Sequence, residues 1–64
     1  MRHLTNRELE ICSYLVQGMK NIEIANTLYL SKHTVKAYVS SIITTLDAKN
    51  RTEAAYILGK KNII

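Results

Sequence analysis

Side chains that start helices recur along this chain at Thr5, Asn21, Ser31 and Asn50, with no proline anywhere and only two glycines. Short oxygen-bearing side chains at such positions accept backbone N–H groups that the first turn of a helix leaves without intrahelical partners. Thr5 and Asn50 are each followed three residues on by a glutamate, Glu8 and Glu53, which makes each pair a capping box. Four starts in 64 residues predict four short helices, over about residues 6–17, 22–28, 32–46 and 51–61. The expected fold class is therefore all-α, one compact four-helix domain spanning residues 1–64. A chain this short has no room for two lobes enclosing a cleft.

Apolar spacing agrees with those starts. Leu9, Cys12, Leu15, Val16 and Met19 form one stripe on the first helix, widened by Ile11, and Gly18 is placed to take the left-handed conformation that ends it. Leu4 stands where it can staple onto Leu9 or its neighbour. The second segment buries Ile24, Ala25 and Leu28, the third Val35, Val39, Ile42, Ile43 and Leu46, and the fourth Ala54, Ile57 and Leu58. On the third helix Lys32, His33, Lys36, Ala37, Ser40, Ser41 and Thr44 fall on the opposite side. Isolated helices of these lengths are marginal in water, so the stripes must pack into one core.

Charge is distributed unevenly. The formal net charge is +4, yet residues 1–31 balance three cations against three acids, and the whole excess lies in residues 32–64. No acidic residue occurs between Glu23 and Asp47, so a helix in that window shows water a neutral or positive face, suited to a polyanionic partner. The single cysteine, Cys12, can form no internal disulfide, which fits a reducing, cytoplasmic setting. The longest apolar run, Ala54 to Leu58, is far too short to span a bilayer, and the N-terminus has no signal-peptide core, so no membrane partner is expected.

Few chemistries fit. His3, Cys12 and His33 have none of the short paired spacings of a zinc site. Glu8 and Glu10 point to different sides of a helix, Cys12 lies on an apolar stripe, and Gly18 and Gly59 make no phosphate loop. No catalytic residue, metal, cofactor or small-molecule ligand is therefore expected, and no enzyme. What remains is a short helix, a tight turn flanked by Leu28 and Leu30, and a longer helix, with small Ala25 where the two would cross. This is a helix-turn-helix pattern. Its DNA-binding use needs a second helix whose outer face enters the major groove, and the acid-free face from Lys32 to Thr44 meets that need.

Leu4-Thr-Asn-Arg-Glu8, Gly18-Met-Lys-Asn-Ile-Glu-Ile-Ala25, Leu30-Ser-Lys-His-Thr-Val-Lys36, Val39, Ile42, Leu46 and Asn50-Arg-Thr-Glu-Ala54 together resemble the LuxR-type, or GerE-like, DNA-binding domain of bacterial transcription regulators. The resemblance implies a sequence-specific regulator on double-stranded DNA, acting as a homodimer on an inverted repeat, with RNA polymerase as a further partner. It puts Lys36, Ala37 and Ser40 at base-facing positions, and Lys32 and Thr34 at backbone contacts. Asn21, Ser31, His33 and Ser41 complete the expected backbone set, the first two through helix N-termini. Tyr56, Lys60 and Ile63 are the expected dimer surface. Arg51 resembles a family arginine that ties the last helix to the body. Ile22 and Thr45 stand where relatives often carry lysines, here read as phosphate partners, so fewer phosphate contacts and a shallow salt dependence are expected. Family members usually carry the domain behind a receiver, as in response regulators, or behind a ligand-binding domain. Since the chain begins at Met1 directly before the first helix, it is expected to be a freestanding regulator or an excised piece. Two other readings stay open. The promoter-recognition helix-turn-helix of sigma factors shares several features but lacks the Asn50-to-Ala54 segment. A small protein-interaction module, an antagonist or partner of a regulator, would keep the fold without specific DNA binding.

Overall fold

The computed structural model describes residues 3–61. Its helices are α1 (Asn6–Val16), α2 (Asn21–Leu28), α3 (Lys32–Thr45) and α4 (Arg51–Lys60), with no strand among the described residues. The all-α, four-helix architecture is the one expected.

At the start of α1 the capping box is complete. The Glu8 N–H donates to Thr5 Oγ1 at 3.1 Å, and the Thr5 N–H donates to Glu8 Oε1 at 2.9 Å. Ser31 caps α3 by accepting from the Thr34 N–H at 3.0 Å, and Asn50 caps α4 by accepting from the Glu53 N–H at 2.9 Å. Two starts differ from expectation. The reciprocal half of the box at Asn50 is displaced, because Glu53 Oε1 accepts from the N–H of Lys49, one residue before the cap. Asn21 is not a cap at all: Lys20 holds the extended cap conformation and Asn21 is the first helical residue. An ammonium group cannot accept a hydrogen bond, so this start relies on Glu23, whose Oε1 accepts from the Lys20 N–H at 2.8 Å.

Three helices end in the same way. Gly18, Tyr29 and Asp47 take positive φ, at 80°, 58° and 55°. After each, the next N–H reaches back to a carbonyl five residues earlier: Met19 to Tyr14 at 3.1 Å, Leu30 to Ala25 at 2.9 Å, and Ala48 to Ile43 at 3.0 Å. These are Schellman closures, which turn the chain sharply and bring an apolar residue back against the helix just ended. Met19, Leu30 and Ala48 are the residues returned, and all three pack against the core. The composition signalled only the first of them, through glycine.

The core comprises Ile11, Cys12, Leu15, Ile24, Ala25, Val35, Val39, Ile42, Leu46, Ala54 and Leu58. On α1 the buried stripe is rotated from the expected one: it runs Glu8, Ile11, Cys12 and Leu15, while Leu9 is half-buried and Val16 exposed. A carboxylate occupies an inward position because both its oxygens have hydrogen-bond donors there, a condition the apolar pattern alone cannot register. α3 is the central element, packed against α1, α2 and α4, while α4 also lies along α1. The domain measures 27 × 21 × 20 Å. α2, the Tyr29-Leu30-Ser31 turn and α3 form the helix-turn-helix, with Ala25 and Val35 buried within it.

Candidate nucleic-acid interface

Successive residues of an α-helix are rotated by about 100°, so Lys36, Ala37 and Ser40 lie within one face of α3, with His33 and Thr44 extending it. All five are exposed, as is Lys32 at the margin, and none is acidic. Val35, Val39 and Ile42 hold the opposite face in the core, which turns the exposed face outward. α1, α2 and α4 each carry a glutamate in the first turn, at Glu8, Glu23 and Glu53, whereas α3 carries none. Its positive N-terminal dipole end therefore stays open to an external anion. Ser31 Oγ both accepts from the Thr34 N–H and donates to Thr34 Oγ1 at 2.9 Å, which rigidifies that first turn beside Lys32 and His33.

Other expected contact residues are placed differently. Asn21 is half-buried, and its Oδ1 accepts from Arg51 Nη1 while Arg51 Nη2 donates to the Met19 carbonyl. The Arg51 fork ties the first turn of α4 to the link between α1 and α2, the structural role its family position implied. Ser41 does not share the exposed face: it is half-buried, and its hydroxyl donates to Glu8 Oε2 on α1 at 2.9 Å. The register explains this, since Ser41 is rotated by about 100° from Ser40, far enough to meet α1. Thr45 is buried, so position 45 faces the core rather than an outside phosphate. Ile22, by contrast, is 48% exposed at the start of α2.

Beside the exposed face of α3 lies an open groove of about 310 Å³ lined by Glu8, Thr34, Ala37, Tyr38 and Ser41. Apolar pattern reading missed Glu8 as a member of this region. The spacing of Glu8, Ile11, Cys12 and Leu15 carried the signal, and the charge concealed it. On α4, Tyr56 is exposed and Lys60 Nζ stands 5.7 Å from its ring centroid, a surface cation–π pair. Ile63 lies outside the described residues. Burial pushes the Cys12 thiol up to about 11, and the Glu8 carboxylate adds to the shift, so the thiol is unreactive at neutral pH. His3 and His33 are exposed and Cys12 is in the core, and no group of three or more His, Cys, Asp or Glu among the described residues could hold a metal ion. No helix among the described residues is long and apolar enough to cross a membrane.

A helix-turn-helix with an acid-free, outward-facing second helix defines a class of DNA-binding domains. The family described as bacterial regulatory proteins, luxR family, matches residues 2–58, and the chain belongs to that family. It is a LuxR-type DNA-binding domain, from a family of transcription regulators and not of enzymes. It is 49% identical over 61 residues to the uncharacterized transcriptional regulatory protein YvfU of Bacillus subtilis, covering 95% of this chain and 30% of that protein. To the B. subtilis transcriptional regulatory protein LnrK it is 48% identical over 52 residues, covering 81% of this chain and 24% of that protein. The chain thus spans less than a third of the length of these relatives. Among solved structures it is similar to the response regulator ComA DNA-binding domain, seen in complex with the anti-activator RapF, with a TM-score of 0.82 and 40% identity, covering 86% of this chain and 95% of that one.

Proposed function

We propose that the chain binds double-stranded DNA sequence-specifically, with α3 in the major groove, and so regulates transcription in the cytoplasm. The observation that carries this reading is the outer face of α3, where Lys36, Ala37 and Ser40 stand exposed without a carboxylate. Lys36 donates to guanine N7 and O6, Ala37 meets a thymine methyl, and Ser40 donates or accepts. Lys32, His33 and the Ser31–Thr34 turn hold the phosphate backbone, joined by the backbone N–H groups at Asn21. Two copies, meeting through Tyr56 and Lys60 of α4, place their recognition helices one turn of DNA apart, on half-sites about 10 bp centre to centre. RNA polymerase is then the machinery such a dimer recruits or blocks.

Selection on random duplexes followed by gel shifts tests the reading. Lys36→Ala is expected to cost about 1–3 kcal/mol on the selected site and to relax choice at one base pair. Lys32→Ala should weaken every duplex alike and lower the salt slope by about 0.9. Equal losses on selected and scrambled DNA for Lys36→Ala would remove the base-reading role.

A second reading draws on the ComA domain's complex with an anti-activator: a domain of this fold that serves as the partner or antagonist of a regulator, without specific DNA binding. If duplex DNA at low salt left the amide resonances of residues 32–44 unmoved, a protein-interaction role without DNA binding would replace the first reading.

A further inference from the structure

Glu8 carries two hydrogen bonds that join distant parts of the chain. Its Oε1 accepts from the Thr5 N–H at the start of α1, and its Oε2 accepts from Ser41 Oγ in the middle of α3, 33 residues away. The carboxylate is 5% exposed, so both contacts form in a poorly solvated setting where a charge-assisted bond is strong and directional. Ser41 is the residue next to Ser40 and lies one turn beyond Ala37, two of the three proposed base contacts.

We infer that Glu8 and Ser41 form a strut that sets the roll of α3 about its own axis, making Ser41 a positioning residue and not a phosphate contact. This rests on the proposed reading of α3 as the DNA-reading helix. Apolar packing by Val35, Val39 and Ile42 decides which face of α3 turns outward, and the directional hydrogen bond from Ser41 to Glu8 holds the roll within that packing to a narrower range. Side-chain tips stand about 5–6 Å from a helix axis, so a roll of about 10° moves them by about 1 Å. That exceeds the half-ångström range over which hydrogen bonds to base edges stay intact. Contacts to phosphates through long lysines absorb the same displacement. The strut therefore protects discrimination between sequences more than affinity.

The test compares Ser41→Ala, Ser41→Thr and Glu8→Gln with the wild type, at a temperature where circular dichroism finds all four fully folded. Ser41→Ala is expected to lower the ratio of selected-site to scrambled-site affinity about tenfold, the size of one lost base contact, while leaving the salt slope unchanged. Ser41→Thr, which keeps the hydroxyl, should restore the ratio. Glu8→Gln, at a residue that is not among the proposed DNA contacts, should reduce it in the same direction. A uniform loss on all duplexes with a slope lower by about 0.9 would make Ser41 a phosphate contact and overturn the inference, as would an unchanged ratio. A second readout needs no DNA: in denaturant unfolding, Glu8→Gln and Ser41→Ala should be non-additive. Additive effects would overturn the strut. A wild-type chain that failed to discriminate any sequence would instead overturn the DNA-reading assignment, and the unfolding cycle separates that failure from this one.

Discussion

Cys12 shows how a residue's setting decides its chemistry. Its side chain is fully buried in the apolar core, with the Glu8 carboxylate nearby, and both effects disfavour the thiolate. Because the folded value, about 11, lies above the ordinary 9.0, folding favours the protonated thiol. That contribution to stability is whole below pH 9 and is lost as pH rises through 11. The denaturant midpoint of the wild type is therefore expected to fall across that window more steeply than that of Cys12→Ala, the variant serving as the reference for every other pH effect. Parallel profiles would show that the thiol contributes nothing. Arg51 makes a similar point through geometry: its planar fork reaches two acceptors, Asn21 Oδ1 and the Met19 carbonyl, which a lysine cannot hold together.

At the scale of the element, the helix ends carry the information that composition hides. Tyr29 is 95% exposed and takes φ 58° with no glycine's freedom to do so. A side chain in the left-handed region costs about 1–2 kcal/mol, partly offset in a Tyr29→Gly variant by the larger entropy of its unfolded chain. A net gain of about 0.5–1 kcal/mol is expected, raising the melting midpoint by several degrees in a domain of this size. Gly18→Ala should move it the other way. A Cβ built there meets nothing within 4 Å, so the cost of about 1 kcal/mol would come from the backbone at φ 80° and not from crowding. Calorimetry on the two variants checks both signs. Asp47 gains less from glycine, because aspartate tolerates the left-handed region better than tyrosine.

At the scale of the whole molecule, four helices of 8 to 14 residues are too short to stand alone, and one shared core holds them. Ile42 lies at its centre, fully buried on the helix that touches the other three. Ile42→Ala is expected to cost about 2–5 kcal/mol, a large share of the few that a domain this small possesses. The helical signal at 222 nm should then disappear in one transition at a much lower temperature, α1 and α4 melting with α3. Survival of α1 or α4 after α3 melts would contradict a single cooperative unit. The charge also reads differently at this scale. Glu8, Glu23 and Glu53 are fixed at the starts of α1, α2 and α4 by accepting from Thr5, Lys20 and Lys49, which leaves α3 as the one helix whose first turn is without an acid.

The number of helices, most of their starts, the outward face of α3 and the family were all legible in the chain, because caps and apolar spacing act over three or four residues. The side-chain partners of Asn21 and Ser41 were not, for the opposite reason. Their side chains answer to Arg51 and Glu8, partners 30 and 33 residues away that only become neighbours once the helices pack. Tyr29 and Asp47 likewise close their helices without the glycine that would have announced them. Local hydrogen bonding thus wrote the elements into the sequence, whereas burying a charged group requires donors from two helices at once. Only the tertiary structure could decide that Glu8 belongs inside and that Ser41 faces it.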